Sequence, residues 1–246
     1  MRVDGRMPHE MRKLTLETNV NMYAEGSVLM GYGNTKVLCT VSLEERVPFF
    51  MRGSGKGWIT AEYAMLPRAT DQRNSRERGR EGLSGRSQEI QRLIGRSMRT
   101  VFHLDELGER SLLIDCDVLQ ADGGTRTASI TASWVATMLA LNRLVQENKL
   151  KRIPVLAQAA AVSVGIVDNT ALLDLCYQED SRAEVDMNVV ITANGELIEV
   201  QGTGEQSTFS RQQLNTMLDM AEAGLQEVFA LQRAVLHEQG VHWRMN

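Results

Sequence analysis

A glycine pair at the junction of a strand pattern and a helix pattern is the segment best suited to bind an anion. It reads Gln120-Ala-Asp-Gly-Gly-Thr-Arg-Thr127, and Arg126 falls in the first turn of the predicted helix. Unpaired backbone N–H groups and the positive end of a helix dipole favour a phosphate there. The arginine adds a guanidinium group that can donate two parallel hydrogen bonds to it. The Gly-Lys-Ser/Thr ending of a nucleoside-triphosphate loop is missing, which disfavours NTP hydrolysis. The residues alone leave phosphate binding and an ordinary helix start equally open.

The segment Leu83-Ser-Gly-Arg86 repeats this arrangement at the start of an earlier predicted helix. Ser84 is a suitable N-cap, Gly85 allows close approach, and Arg86 can reach an anion. If the two helix starts converge, they would bind one phosphate close to another. The alternative is a pair of ordinary helix starts that carry surface arginines.

Two carboxylates, Asp180 and Asp186, are the candidate acid and metal-binding groups. Asp180 is predicted in a loop, and Asp186 lies on a predicted strand, on the face opposite Val185. Near a phosphate site they could hold Mg²⁺ or protonate a leaving oxygen. Without such a site, solubilising groups on a loop and a strand edge are the plainer interpretation.

The other residues with reactive side chains do not predict a second catalytic or metal site. Asp115 and Asp117 lie on the mixed face of a predicted strand, where hydrogen bonds or salt bridges are their expected role. The four histidines are scattered, so neither a zinc site nor a Ser/His/Asp triad is predicted. Three isolated cysteines in strand-like apolar segments are predicted to be reduced core residues: Cys39, Cys116 and Cys176.

Positive charge is concentrated in one stretch of a chain whose net charge is −4. Nine arginines fall there against four acidic residues, and Arg outnumbers Lys. The nine are Arg68, Arg73, Arg76, Arg78, Arg80, Arg86, Arg92, Arg96 and Arg99. The spacing of the last three predicts a shared helix face opposite the buried one. Such segregation is typical of a footprint for a polyanion, although a solvated face or a subunit contact would look the same.

The elements that must position these residues form an α+β pattern. Strands are predicted at 14–21, 27–32, 35–43, 58–63, 111–120, 157–167, 171–177, 185–193 and 196–201. Helices are predicted at 84–101, from the glycine pair to about 146, and after the capping box Ser210-x-x-Gln213. Strands followed by helices, twice over, indicate layered sheets and helices with a loose internal duplication, not a doubly wound sheet. One domain is predicted at 1–238, followed by a tail at 239–246.

The composition is that of an ordinary folded protein. Of 246 residues, 43% are hydrophobic and 24% are charged, which excludes the disordered, collagen-like and disulfide-rich classes. The first residues are polar and charged, without an apolar segment. The longest mostly apolar stretch, 155–167, is interrupted and too short to span a bilayer. A cytoplasmic location without membrane attachment is therefore expected.

Several segments together resemble the ribonuclease PH family, in the family's order. They are Met1-Arg-Val-Asp-Gly-Arg6, Gly33-Asn-Thr-Lys-Val-Leu-Cys39, Gly55-Lys-Gly-Trp-Ile-Thr-Ala-Glu-Tyr63, Met65-Leu-Pro-Arg-Ala-Thr70, Gln120-Ala-Asp-Gly-Gly-Thr-Arg-Thr127, Glu184-Val-Asp-Met-Asn188 and Val200-Gln-Gly-Thr-Gly-Glu205. The resemblance runs from the first residue to about residue 236, so only the C-terminal tail lies outside it.

The resemblance implies a fold like domain 2 of ribosomal protein S5, with a left-handed βαβ crossover, and a homohexamer built as a trimer of dimers. It implies phosphorolysis of the 3′ trailer of tRNA precursors and of other structured RNA 3′ ends. Inorganic phosphate would be the co-substrate, Mg²⁺ or Mn²⁺ the cofactor, and nucleoside diphosphates the products. Phosphate is itself the nucleophile, which agrees with the lack of an activated Ser, Cys or His. Nucleotide addition, the reverse reaction, is expected as well.

Site residues follow from the matching motif positions. The family's phosphate site corresponds to Arg86, Gly124, Thr125 and Arg126, and its catalytic and metal-binding acids correspond to Asp180 and Asp186. Its tRNA-binding or ring-forming arginines correspond to Arg68, Arg73 and Arg76. To this last group we add the three arginines of the shared helix face: Arg92, Arg96 and Arg99.

Two other classes of protein are weighed against this interpretation. A catalytically silent RNA-binding ring subunit is disfavoured because the phosphate loop and both aspartates are present. A small-molecule kinase of the same fold is disfavoured because no nucleoside-triphosphate loop is present, and likeness of fold alone is a weak argument.

Overall fold

The computed structural model describes residues 2–77, 82–205 and 207–243. Arg78 and Arg80 of the arginine-rich stretch, and residues 244–246 of the predicted tail, lie outside this part of the chain. Among the described residues, no helix has the length and apolar character needed to cross a membrane.

The first sheet has five strands in the order β1-β2-β3-β5-β4. Their bounds are β1 Leu14–Thr18, β2 Gly26–Tyr32, β3 Thr35–Glu44, β4 Trp58–Met65 and β5 Ser111–Gln120. Gly33 and Asn34 join β2 to β3 in the predicted hairpin, and a short 3₁₀ turn at Phe49–Met51 precedes β4. All neighbouring pairs are antiparallel except β4 and β5, which are parallel.

Helix α1, Gly85–Val101, makes the crossover between the two parallel strands and packs on β4, while the one-turn helix α2, Leu104–Leu107, follows it. The predicted βαβ unit is therefore present, and its left hand stays a prediction. Helix α3, Thr125–Gln146, is separated from the end of β5 by four residues.

The second sheet has four antiparallel strands in the order β7-β6-β8-β9. Their bounds are β6 Ala159–Val167, β7 Thr170–Leu173, β8 Val185–Thr192 and β9 Leu197–Gly204. A one-turn helix α4, Tyr177–Asp180, lies between β7 and β8. The long helix α5, Arg211–Glu238, starts at the predicted capping box, where Ser210 Oγ accepts from the Gln213 N–H.

The core is continuous across the two sheets, with α3 at its centre. Almost every face of α3 is buried, and a Cβ on Gly26 of β2 would lie 2.0 Å from the Ala136 carbonyl oxygen. Trp134 is completely buried and donates its indole N–H to the Ala157 carbonyl. These contacts fix α3 between the sheets. The mixed α+β class predicted from the strand and helix pattern is confirmed.

The strand predicted at 171–177 is wrong beyond Leu173. Asp174 has a left-handed backbone (φ 53°), and Cys176 caps α4 instead of lying in a strand. Asp180, predicted in a loop, ends α4. The strand predicted at 14–21 likewise ends at Thr18, because Asn19 is left-handed (φ 56°). All three cysteines are buried and free, as predicted.

One further prediction failed in detail. Asp115 and Asp117 make no side-chain hydrogen bond or salt bridge with the described residues; both are half-buried on the sheet face, and burial raises the pKa of each carboxyl.

The described residues of the predicted tail contact the rest of the protein. Val241 is buried in the core, and Trp243 contacts Trp134 edge to face. The limits of 1–238 and 239–246 stay predictions.

Candidate active site

The glycine turn before α3 has the geometry of an anion-binding site. Gly123 and Gly124 are both left-handed, with φ of 73° and 67°, and Gly124 is the N-cap of α3 without any side chain capping the helix. A Cβ on Gly123 would lie 2.5 Å from the Leu175 carbonyl oxygen, so the turn can pack against the segment before α4 only with glycine there. The first N–H groups of α3 are left free for a phosphate.

Thr125 and Arg126, the first residues of α3, are held in place by neighbouring elements. The Thr125 hydroxyl hydrogen-bonds the buried Tyr63 hydroxyl at 2.8 Å, so its backbone N–H is the group left for an anion. Arg126 Nη1 donates to Glu89 of α1 at 3.1 Å and also to Gln201 of β9. Its Nε and Nη2 make no hydrogen bond in the described part of the chain. The guanidinium is therefore oriented but keeps one edge for a phosphate.

The start of α1 differs from the prediction of a second free anion site. Ser84 is the N-cap, and its hydroxyl accepts from the Ser87 N–H at 3.1 Å. The Glu77 carboxylate accepts from the Ser84 N–H and from the Ser87 hydroxyl, so the chain's own anion already occupies this helix start. Arg86 is exposed, and its guanidinium has no hydrogen bond or ion pair with the described residues. It contributes to the site through its side chain alone.

Asp180 and Asp186 come together although one ends α4 and the other lies on β8. Burial raises the pKa of Asp180. Burial also raises the pKa of Asp186, to about 6, and the nearby Asp180 charge adds to the effect. Within the described residues, no side chain donates a hydrogen bond to either carboxylate.

Arg86 and Arg126 act on both carboxylates, lowering the pKa of Asp180 and of Asp186 against the effect of burial. The four side chains from α1, α3, α4 and β8 therefore form one cluster, which is the arrangement that the motif positions implied. Glu205, just after β9, is a third acid in this cluster and raises the pKa of both aspartates. It lay within a recognised motif but received no role from the sequence.

A buried ion network behind the aspartates was missed from the sequence. Arg2 donates to both Glu179 oxygens at 2.8 Å, and Arg12 donates to both Asp174 oxygens at 2.9 and 2.7 Å. Arg12 also donates to the carbonyl of Asp122, next to the glycine pair. The N-terminal arm thus fixes α4 and the phosphate turn together. The Arg-Val-Asp-Gly-Arg segment was the available signal, but its partners lie more than 100 residues away.

A single open cavity of about 1050 Å³ is lined by Arg86, Gly124, Thr125 and Asp180. Arg126 and Asp186 do not line it, although both interact electrostatically with Asp180 at its wall. The same cavity is also lined by Tyr177 and by residues of the N-terminal arm, among them Asp4 and Arg6. Its volume exceeds what a lone phosphate ion needs and is at the upper end for small-molecule pockets, which are typically about 300–1,000 Å³.

The donor set suits a magnesium ion that also binds substrate. In the described part of the chain, no three His, Cys, Asp or Glu side chains are grouped to hold a metal by themselves. Mg²⁺ is usually held by one or two carboxylates together with substrate phosphates and water. Asp180 and Asp186, which accept no side-chain hydrogen bond, fit that pattern.

The remaining predicted arginines fall into two groups. Arg68, Arg73, Arg76 and Arg92 are exposed; Arg68 donates to the Asp71 carbonyl, and the charge of Arg76 acts on Asp117. Arg96 and Arg99 have partners within the chain.

Arg96 pairs with Glu199 at 3.2 Å. Arg99 departs from the predicted shared face, because its guanidinium lies 4.5 Å from the Trp58 ring centroid and donates to the Ile59 carbonyl. Its long stem bends onto β4, where cation–π contact and a carbonyl acceptor hold the charge.

The 3′ exoribonuclease family matches in two consecutive parts, domain 1 at residues 10–142 and domain 2 at residues 157–224. The chain therefore belongs to the 3′ exoribonuclease family.

Within that class, the similar curated proteins are named ribonuclease PH. The protein from Geobacillus sp. (strain WCH70) is 57% identical over 239 residues, covering 97% of this chain and 94% of that protein. The protein from Bacillus cereus (strain AH187) is 56% identical over 237 residues, covering 96% and 97%.

Solved structures share the fold at much lower identity. Rice (Oryza sativa) Rrp46 superposes with a TM-score of 0.78 and 19% identity, covering 96% of this chain and 100% of that chain. The Archaeoglobus fulgidus exosome with RNA bound to the active site gives a TM-score of 0.77 and 22% identity, covering 93% and 91%. These likenesses extend over both sheets.

Proposed function

We propose that this chain is a phosphate-dependent 3′-to-5′ exoribonuclease that trims the 3′ trailer of tRNA precursors and releases nucleoside diphosphates. The observation that carries the proposal is the cluster of Arg86, Arg126, Asp180 and Asp186 beside the uncapped start of α3. Positive groups and free N–H groups bind one phosphate, and two carboxylates lie next to it. Ribonuclease PH relatives at 57% and 56% identity support the same activity.

Inorganic phosphate is the nucleophile in this reaction. The free N–H groups at Gly124 and Thr125, with the open edge of Arg126, hold it at the start of α3. One of its oxygens attacks the phosphorus of the last phosphodiester, and the bond from that phosphorus to the preceding O3′ breaks. The terminal nucleotide leaves as a nucleoside diphosphate. Arg86 and Arg126 offset the repulsion between the two anions, and this electrostatic term is the main demand in phosphoryl transfer.

The departing O3′ must gain a proton or bind a cation. We assign this task to Asp180 and Asp186, because the described site contains no histidine and the attacking phosphate cannot also neutralise the oxygen that leaves. The raised pKa of Asp186, about 6, means that a proton is available there near neutral pH. Which carboxylate donates it stays open.

Mg²⁺ or Mn²⁺ is proposed as the cofactor, held by Asp180 and Asp186. When bound, it would supply positive charge beside the phosphate groups. Since one transition state serves both directions, nucleotide addition to RNA 3′ ends is proposed as the reverse reaction.

The wider setting is also part of the proposal. A homohexameric ring, a trimer of dimers, acting on tRNA precursors and other structured RNA 3′ ends is supported by the relatives' family and by the exposed Arg68, Arg73 and Arg76. The cytoplasm is the proposed location, since precursors of this kind are the substrates.

A direct assay tests the proposal. A tRNA with a labelled 3′ extension is incubated with the protein, with and without inorganic phosphate, and the products are separated. We expect nucleoside diphosphates only when phosphate is present. Release of nucleoside monophosphates without phosphate would indicate a hydrolase and contradict the proposal, and binding without any release would indicate the silent ring subunit.

A further inference from the structure

The lining of the cavity includes an exposed aromatic side chain that the phosphate chemistry does not use. Tyr177 lines the cavity at the start of α4, and 62% of its surface is exposed. It lies three residues before Asp180, so the two side chains project from the same side of one helical turn. Three residues of helix span only about 4.5 Å. The ring and the acid therefore line the cavity within one helical turn of each other.

The backbone that carries Tyr177 is held on the cavity wall. Its N–H donates to Asp122 Oδ1 at 3.1 Å, and the other oxygen of that carboxylate accepts from the Asn34 amide at 3.2 Å. One carboxylate thus ties α4 to the hairpin on the other side of the cavity. The ring makes no aromatic contact with other described residues. An exposed ring carried on a fixed backbone position is suited to stacking with a flat partner.

Lys13 provides a positive charge in the lining of the same cavity. It is exposed, and its ammonium group has no ion pair or hydrogen bond with the described residues, while its carbonyl accepts from the Gly33 N–H. The neighbouring Arg6 differs, because it pairs with Asp4 and also interacts with Asp174 and Glu179. Lys13 is therefore the lining cation of this arm that is available to an external anion.

We propose that Tyr177 and Lys13 form a nucleotide subsite for the RNA 3′ end. The Tyr177 ring stacks on the base of one of the two nucleotides that flank the scissile phosphodiester, and Lys13 binds a backbone phosphate. This inference rests on the proposed function and adds how the substrate is held. An aromatic face with a nearby cation is the usual combination for single-stranded nucleic acid, and it tolerates any base because every base has a π-face. The subsite would hold the RNA tail in line with the attacking phosphate.

Steady-state kinetics on a 3′-extended tRNA provide the first test. Tyr177→Ala is expected to raise the KM for RNA about 5- to 150-fold, the equivalent of one lost base stack. The KM for inorganic phosphate should stay unchanged, since the anion site at α3 is intact. Tyr177→Phe keeps the ring and should behave as the unaltered protein.

Tyr23→Ala is the matched control. Tyr23 is 83% exposed, and its N–H also donates to a side-chain oxygen, that of Asn21. It lies before β2, at the opposite end of that strand from the Gly33–Asn34 hairpin that lines the cavity. This variant should leave both KM values unchanged.

Abasic substrates separate stacking from a structural effect. An abasic residue is placed in turn at each of the last two positions of the tail. At the position that stacks, the abasic RNA should weaken binding to the unaltered protein, and Tyr177→Ala should then cause no further loss. A loss that is the same with normal and abasic RNA at both positions would show that the ring does not contact a base.

Salt dependence tests the part assigned to Lys13. Lys13→Ala should reduce the slope of log affinity against log salt by about 0.7, the value for one phosphate contact on a single strand. Lys151→Ala is the control, because Lys151 is exposed beyond the far end of α3. An unchanged slope for Lys13→Ala would show that Lys13 does not bind a backbone phosphate.

The results distinguish the inference from the proposed function. If the unaltered protein releases nucleoside diphosphates but Tyr177→Ala behaves as Tyr23→Ala does, the subsite is wrong and the function stands. If the unaltered protein releases none, the function is wrong, and RNA binding measured by filter retention with the same variants still decides whether Tyr177 holds the RNA tail.

Discussion

Arg126 lies in the candidate site with its guanidinium already oriented by Glu89 and Gln201. Such preorganisation lowers the entropy that must be lost when a phosphate binds. Arg86, in contrast, is exposed and without a partner among the described residues. At the scale of single residues, the two arginines therefore have different tasks. Arg126 defines the position of the phosphate, and Arg86 adds charge.

We expect Arg126→Ala to weaken the use of phosphate. The loss of a charge-assisted bidentate contact, about 1.5–3 kcal/mol, corresponds to about a 10- to 150-fold higher KM for phosphate. Phosphorolysis measured over a range of phosphate concentrations checks this, with Arg92→Ala as an exposed control from α1. An unchanged phosphate KM in Arg126→Ala would remove Arg126 from the site.

Asp186→Asn is expected to lower activity and raise stability. The turnover number should fall by about 10²–10⁴, the range for a general acid, in both phosphorolysis and nucleotide addition. Burial raises the pKa of Asp186 to about 6, so the ionised carboxylate destabilises the folded protein at pH 7 and above. This penalty disappears below the unfolded pKa of about 4, where both states are protonated.

Urea unfolding at pH 7.5 and at pH 4 checks the stability part of this prediction. The gain from Asp186→Asn should be about 1–3 kcal/mol at the higher pH and near zero at the lower. Asp115→Asn is the matched control, because burial and the neighbouring Glu62 also raise the pKa of Asp115, which lies away from the site on β5. It should stabilise the protein without lowering activity. Full activity in Asp186→Asn would refute the mechanism.

At the scale of elements, the short helix α4 depends on the N-terminal arm more than on its own sequence. A one-turn helix cannot be stable by itself, since nucleation is costly. Arg2 binds Glu179 within α4, and Arg12 binds Asp174 three residues before α4 begins; both carboxylates are completely buried. Although burial opposes ionisation, the hydrogen bonds from Arg2 lower the pKa of Glu179. The position of Asp180 is therefore set by residues at the other end of the chain.

Arg2→Ala should accordingly lower both the stability of the protein and its turnover number. Removing Arg2 leaves the buried Glu179 carboxylate with the more distant Arg6, at 3.7 Å, which should cost up to about 3–5 kcal/mol and also lower the turnover number as Asp180 moves. Thermal unfolding and single-turnover kinetics measure the two effects. Removing both charges in Arg2→Met/Glu179→Leu should restore most of the stability. If Arg2→Ala were as stable as the unaltered protein, the N-terminal arm would not support α4.

At the scale of the whole molecule, α3 and the continuous core join two sheets into one unit. The site lies where the two sheets meet, with α1 and α3 contributing from the first half and α4 and β8 from the second. Neither half contains all four charged groups. The family's division into domain 1 and domain 2 therefore falls across the site and not beside it.

The exposed arginines Arg68, Arg73 and Arg76 belong to the surface of the whole molecule. Replacing all three by alanine should impair tRNA binding or ring assembly and leave the phosphate KM unchanged, since none of them lies at the start of α3. Sedimentation reports assembly, and the salt dependence of tRNA affinity reports phosphate contacts, at a slope of about 0.7–0.9 per contact. An intact assembly with unchanged tRNA affinity and an unchanged salt slope would show that they are merely solvated.

The sequence by itself determined the local features of this protein. The Gly123–Gly124 turn, the N-cap at Ser84 and the capping box at Ser210 were all recognised, because glycine conformations and caps depend on a few neighbouring residues. Strand and helix cores were predicted for the same reason, since burial with a period of 2 or 3.6 is visible locally. The assignment of Asp180 and Asp186 came from resemblance to a family and not from any local rule.

Tertiary structure alone decided which of these features meet. Asp174 takes a left-handed backbone where the strand ends, and its carboxylate is bound by Arg12, 162 residues away. Glu77 fills the start of α1, and Arg99 turns onto Trp58, although their local patterns predicted an open anion site and an exposed face. A charge is satisfied by whichever partner the packed elements place within hydrogen-bond distance. That distance depends on how the two sheets pack, and a local sequence pattern cannot predict this packing.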